Sequence, residues 1–414
     1  MQAKRGSSIR VFGALFFASA TAMLGLGIIA PILPLYATTF AASGVEIGLV
    51  FTAFSISRAI LGPFVGRLSD RVGRKSLMVA GLGIYAAISL LYASADSLWQ
   101  LGLFRFLQGI GSVMVLPLAQ AYVGDMTPAG KEGRYMNAFY ASQFLGIAFG
   151  PLLGGSIGAA WSYHSAFLVM GGLSLLSLLL VVITVPVDRA TLERKTKKTR
   201  EIIPLRAILR NDAVKAMSIY VGTRGFWRQS FNTFFPLFAV ASLAVDESRI
   251  GLVLSCNMFA EGLLQIPFGF MADRYPRIRQ IVVGSIFAPF VMLAIPFVPS
   301  IWGVAGLAVA MGAFSALGRA SLVAIRTEIG RTHGMATLGG LQGSSFAAGQ
   351  MLGPLGAGLV VDTFGLAAVF PFATSVGLVG TGLVLIWMRR WLRSDPDAVS
   401  MARHRSNPAS PGQN

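Results

Sequence analysis

Residues 66–75 read G-R-L-S-D-R-V-G-R-K and lie between two apolar runs, 46–66 and 76–94, each long enough to cross a bilayer. Arg67, Asp70, Arg71, Arg74 and Lys75 cannot all sit in hydrocarbon, so this stretch belongs at a membrane surface. Moving 203 residues along the chain gives residues 269–279, G-F-M-A-D-R-Y-P-R-I-R, again between two apolar runs. At the same fixed offset Gly48, Leu49 and Val50 fall on Gly251, Leu252 and Val253, and Asp70, Arg71 and Arg74 fall on Asp273, Arg274 and Arg277. Gly109 falls on Gly312 and Asp125 on Glu328; Gly146, Gly150, Pro151 and Gly155 fall on Gly349, Gly353, Pro354 and Gly358. A register kept across so many segments marks a duplicated half-molecule.

Composition sets the class. Hydrophobic residues make up 54% of the 414 and charged residues only 12%, which predicts a polytopic helical membrane protein. Apolar runs recur from 11–37 through 366–388, and twelve of them predict twelve crossings. The net charge of +17 would point to nucleic acid in a soluble protein, but here its placement assigns another role. Lys and Arg crowd the N-terminus, 67–75, 131–134, 189–215, 274–279, 326–331 and the tail, whereas the intervening loops hold Arg249 alone. Basic residues gather on the cytoplasmic face, so both termini are expected in the cytoplasm and no nucleic-acid partner is expected. Cys256 is alone, His164, His333 and His404 are scattered, and neither a metal site nor a catalytic residue is expected. Residues 187–211 form the one long hydrophilic connection, dividing an N-terminal bundle (1–186) from a C-terminal bundle (212–390). The polar stretch 391–414 is expected to be a disordered cytoplasmic tail.

Residues 66–75 resemble the signature loop of the major facilitator superfamily. Residues 101–112, L-G-L-F-R-F-L-Q-G-I-G-S, are similar to that superfamily's second motif, with Arg105 in the Arg position. Residues 146–155, G-I-A-F-G-P-L-L-G-G, resemble the motif of its antiporter, or efflux, branch. The resemblance implies an all-α membrane protein of twelve transmembrane helices in two pseudo-symmetric six-helix bundles, with a central site opening alternately to each side. It also implies that the loop latches the cytoplasmic side, with Asp70, Arg71, Gly73 and Arg74 in one copy and Asp273 and Arg274 in the other. Asp70 is expected to accept charged hydrogen bonds from a facing helix or a nearby Arg such as Arg134. Pro276 stands where the first copy has Gly73, which predicts a weaker second latch. Gly146, Gly150, Gly154 and Gly155 strip side chains from one helix face, and Pro151 allows a bend; Gly353 and Pro354 repeat the device.

Charges at membrane depth are costly and mark function. Arg58, Arg105, Arg224, Arg228, Glu261 and Arg319 qualify, and five guanidiniums against one carboxylate leave a positive surplus. Arg224, Arg228 and Asn232 share one face of the seventh run; Asn257, Glu261 and Gln265 share one face of the eighth. Since 58 and 261 are equivalent positions, Glu261 is expected to pair with an Arg of its own half: Arg224, Arg228 or Arg319. Glu261 is the expected proton carrier, and a proton gradient rather than a cofactor the expected energy source. An Arg-rich site suits carboxylate or phosphate. The first run lacks the acid common in members that favour cationic drugs, which argues against a cationic cargo. The sequence therefore predicts a monomeric exporter of a small anionic or amphiphilic solute in the inner (plasma) membrane. An importer of organic or inorganic anions and a lipid flippase are the alternatives. A receptor would need a soluble module, and an enzyme more chemistry than Glu261 offers.

Overall fold

The computed structural model describes residues 2–128, 131–186, 211–333 and 335–394. The expected linker, apart from Asn211, and the chain beyond 394 lie outside the described residues. The described residues form twelve long helices: α1 (Gln2–Thr38), α2 (Gly44–Val72), α3 (Arg74–Ala93), α4 (Leu98–Met126), α5 (Glu132–Ala160), α6 (Tyr163–Thr184), α7 (Asp212–Leu243), α8 (Glu247–Arg274), α9 (Arg277–Leu293), α10 (Ile301–His333), α11 (Met335–Phe364) and α12 (Val369–Ser394). Thus α12 continues into the stretch expected as a tail. There is no strand among the described residues.

Helix ends follow local chemistry. Ser43 and Glu46 form a reciprocal capping box at the start of α2, and Ser97 and Ser162 cap α4 and α6. Gly73 breaks α2 from α3 with φ at 93°, a conformation that glycine adopts without a Cβ clash. Its counterpart Pro276 makes the corresponding break with φ at −56° by supplying no N–H to continue the ladder.

Eleven of the helices are long and apolar enough to cross a membrane, against the twelve expected from the sequence. The exception is α7, long enough at 32 residues, whose middle carries Arg224, Arg228, Gln229, Ser230, Asn232 and Thr233. A helix this polar at membrane depth must face other protein or water rather than lipid.

The described residues group into two compact units. One falls within Met1–Thr199, Gln229–Ser255 and Gln350–Val369, the other within Arg200–Arg228, Cys256–Gly349 and Phe370–Asn414. The first has an apolar core that includes Leu15, Met78, Val115, Leu118, Phe139 and Val181. The second has one that includes Met217, Ile281, Leu322, Ile325, Met388 and Trp391.

The offset of 203 residues reappears in the geometry. Ala41 and Ala244, one copy each of the same turn, are the non-glycine residues with positive φ among the described residues, 54° and 48°. Exposed aromatics recur at the helix ends away from the basic loops: Trp99 and Trp302, Trp161 and Phe364. Aromatic rings in such places anchor helices at a membrane interface. A side chain at Gly109 would meet the Phe54 carbonyl, and one at Gly312 the Asn257 carbonyl, so α2 and α4 cross as α8 and α10 do. Within the first unit Gly155 lies against Glu247 and Gly358 against Gly44, the same contact read in both directions; Gly251 with Pro151 and Gly48 with Pro354 repeat it. Asp362 reinforces the second contact by accepting from the Gly44 and Val45 N–H groups at 2.6 and 3.0 Å. A carboxylate at a helix N-terminus is favoured by the unpaired amides there.

The basic loops are tied down twice in the same way. Arg74 pairs with Asp125 at 2.5 Å, and Arg277 with Glu328 at 2.7 Å. Burial separates the two: the Arg277 side chain is 7% exposed and its Nε also donates to the Ala272 carbonyl at 3.0 Å, whereas Asp125 is 57% exposed. Removing Arg277 strands Glu328, which is 32% exposed and so less well screened than Asp125. Arg277→Met is therefore expected to cost about 1–2 kcal/mol and Arg74→Met under about 1 kcal/mol. Melting of the two variants side by side in one detergent checks the order.

Candidate functional site

Helical spacing places Arg224 and Arg228 one turn apart on α7, and both reach Glu261 on α8. Arg224 donates to Oε1 and Arg228 to Oε2, while Arg319 of α10 reaches Oε1 at 3.2 Å. Glu261 therefore binds all three of the expected membrane-depth guanidiniums of its own half, Arg224, Arg228 and Arg319. Two glycines make this convergence sterically possible: Gly312 lets α10 lie against the backbone of α8 beside Glu261, and Gly284 lets α9 lie against Gly318 of α10. Glu261 is 4% and Arg224 8% exposed, but the Arg319 side chain is 46% exposed. Three guanidiniums on one carboxylate leave a formal charge of +2. A buried cluster with that excess is costly unless an anion joins it, and Arg319 is the arm through which one can enter.

A cavity of about 10 Å³ adjoins the cluster, lined by Tyr220, Thr223, Arg224, Ser285, Ser315 and Thr381 among others. That volume suits about one water and no organic solute. Arg224 Nε has no partner among the described residues. A roomier cavity of about 370 Å³ lies in the first unit, lined by Leu35, Ile47, Leu237, Val240 and Asp362 among others. Its walls are largely apolar, and the Asp362 carboxylate is already engaged by α2.

Several residues expected at the site do other work or stand apart. Asn257, though on the Glu261 face of α8, spends its amide on the Ala308 carbonyl at 2.8 Å and so fastens α8 to α10. Asn232 is half-buried on α7 and makes no hydrogen bond among the described residues. Arg58 on α2 and Arg105 on α4 form a separate cluster in the first unit. The Arg105 guanidinium lies 4.9 Å from the ring centres of both Phe51 and Phe54, and Arg58 lies 5.4 Å from that of Phe54.

Of the expected gating residues, Asp70 lies in α2 but its side chain is outside the described residues. Arg71, Asp273 and Arg274 are exposed, and Asp273 is 3.9 Å from Arg277. Gly146, Gly150 and Gly154 of α5 seat against α1 at Ala20, Gly27 and Ile28, while Gly155 turns to α8. Gly353 and Pro354 are buried in α11. Sequence reasoning gave no role to Asp125, Glu328 or Asp362, nor to Tyr85, Tyr92 and Gln108 around Arg105. The fixed offset already aligned Asp125 with Glu328 and Arg74 with Arg277, so the paired bridges had a signal; the others had none.

Comparison with known proteins agrees with this architecture. The chain is 24% identical over 378 residues to the quinolone resistance protein NorA of Staphylococcus aureus, covering 90% of this chain and 95% of the relative. It is 25% identical over 379 residues to multidrug resistance protein 2 of Bacillus subtilis, covering 89% and 93%. The crystal structure of a bacterial homologue of the human lysosomal transporter Spinster, inward-facing and occupied, superposes with a TM-score of 0.75 at 16% identity, covering 92% of this chain and 97% of that one. The family model of the Major Facilitator Superfamily matches residues 15–227 and 217–410. With twelve long helices, a geometry written twice and a family match along nearly its whole length, this chain is a multi-pass membrane transporter, not an enzyme, and belongs to the Major Facilitator Superfamily.

Proposed function

We propose that the protein is a proton-coupled exporter of small organic solutes that are anionic or amphiphilic, working by alternating access as a monomer in the plasma membrane with both termini in the cytoplasm. The observation that carries this reading is Glu261 held by Arg224, Arg228 and Arg319 with a formal excess of two positive charges. Facing the cytoplasm, Glu261 gives up its proton, and the excess charge of the guanidiniums takes a solute carboxylate through paired N–H donors. Facing outward, Glu261 takes up a proton from outside as the cluster rearranges and the solute leaves, so that proton and solute cross in opposite directions. The halves 1–186 and 212–390 are the bodies that rock, and the Arg74 and Arg277 bridges hold their basic loops in place. The efflux motif at 146–155 and the resistance proteins among the relatives support the outward direction.

Everted membrane vesicles acidified inside test the reading. A carboxylate-bearing quinolone is expected to accumulate in vesicles holding the wild-type protein, and Arg228→Ala to reduce that accumulation by about tenfold or more. Accumulation of tetraphenylphosphonium alone, indifferent to Arg224→Ala and Arg228→Ala, would rule out an anionic cargo. Uptake only in right-side-out vesicles would reverse the direction.

A further inference from the structure

The Arg58 and Arg105 cluster differs from the Glu261 cluster in one chemical respect: among the described residues, neither guanidinium is paired with a carboxylate. Arg105 is 5%, Gln108 0%, Tyr85 2% and Ser112 1% exposed. Arg105 donates to the Gln108 Oε1 atom at 2.9 Å, and Tyr92 donates to the same oxygen at 3.3 Å. That one acceptor is therefore shared by two donors. Arg105 Nε and Gln108 Nε2 have no hydrogen-bond partner among the described residues, and the neighbouring Tyr85 and Ser112 hydroxyls are not fully satisfied by each other. Tyr85 on α3 lies within electrostatic range of both guanidiniums. Two unpaired N–H donors and two underused hydroxyls, on two helices beside two positive charges, describe a shortage of acceptors and of negative charge together. A neutral polar molecule would relieve the first and not the second.

We propose that Arg58, Arg105, Gln108, Tyr85 and Ser112 form a second anion site, which takes the carboxylate, or a like oxyanion, of an organic solute. The proposal rests on the reading of the protein as a transporter of anionic or amphiphilic compounds, and adds a second anion-holding place in the first unit to the guanidiniums around Glu261. An oxyanion brings several lone pairs, no donor and the missing charge. Phe51 and Phe54, themselves buried, hold the Arg105 guanidinium through their ring faces and keep it aimed within the group. Arg58, only partly covered, is the approachable member of the group.

Titration calorimetry on the full-length protein in detergent tests this, with benzoate, inorganic phosphate and tetraphenylphosphonium as probes. Benzoate is expected to bind and to raise the melting temperature. The double variant Tyr85→Phe with Ser112→Ala, which deletes two hydroxyls and no packing volume of note, is expected to melt with the ligand-free wild type yet bind benzoate about fivefold more weakly. Arg105→Lys keeps the charge but loses the planar fork, and is expected to weaken binding by about tenfold. A lower melting temperature for the ligand-free double variant would assign those hydroxyls to a structural water and overturn the site. Benzoate affinity unchanged in both variants but lost in Arg228→Gln would overturn the second site while leaving the transport reading intact. Phosphate binding as tightly as benzoate would overturn the organic assignment, and binding of tetraphenylphosphonium alone would sink the site and the transport reading together.

Discussion

Glu261→Gln is expected to destabilise the protein by about 3–5 kcal/mol, more than any single arginine replacement in the same cluster. The neutral amide keeps the shape of the side chain but leaves Arg224, Arg228 and Arg319 facing one another with no counter-charge. Arg224 and Glu261 are nearly inaccessible, so solvent screening offers little relief. Each arginine replacement, by contrast, removes one positive charge from a group that has too many. It follows that Arg224→Gln added to Glu261→Gln should restore about 1–2 kcal/mol, a coupling opposite in sign to that of two independent lesions. Thermal melting of the wild type, both single variants and the double variant in one detergent closes the cycle. A Glu261→Gln protein that melts with the wild type, or a double variant less stable than either single, would show that the four side chains do not act as one charged unit.

The second large effect is expected from the paired glycines. A Cβ at Gly155 would run into the Glu247 carbonyl, and one at Gly358 into the Gly44 carbonyl, both of them backbone that no side-chain rotation can move aside. Gly155→Leu and Gly358→Leu should therefore prevent the close approach of α5 to α8 and of α11 to α2, and each should lower transport by about tenfold or more. The two losses should be alike because the contacts are copies of each other. Gly66 and Gly269 are also copies, and at each a Cβ would meet nothing within 4 Å. Gly66→Ala and Gly269→Ala should then transport within about twofold of the wild type. Initial rates normalised to protein in the membrane decide the matter, and full activity in both leucine variants would show that the close approach is packing without consequence for the cycle.

Much of this fold was legible from periodic features, because membrane helices must be long and apolar and duplication copies their punctuation. The offset that aligned Asp70 with Asp273 also aligned Arg74 with Arg277 and Asp125 with Glu328, and those four residues turn out to be two equivalent bridges. Apolarity alone left α7 ambiguous, since a helix turned toward charged partners no longer needs a lipid-compatible surface. The site was legible as far as spacing reaches. Arg224 and Arg228 share a helical face, and Glu261 was the one acid at depth available to them. What spacing cannot give is which side chain meets which across helices. Asn257 shares the Glu261 face and yet is held by a carbonyl of α10, and Gln108, one turn from Arg105 on α4, is also met by Tyr92 from α3. The Asp362 cap on α2 joins residues more than 300 apart and had no local signature at all.

Two assays on Glu261→Gln in proteoliposomes separate solute binding from proton coupling. One measures exchange of labelled for unlabelled quinolone with no pH gradient, the other accumulation driven by a pH gradient. If Glu261 joins the proton to the solute through its three arginines, exchange persists and gradient-driven accumulation disappears. Gradient-driven accumulation at the wild-type level would show that the coupling proton does not bind at Glu261.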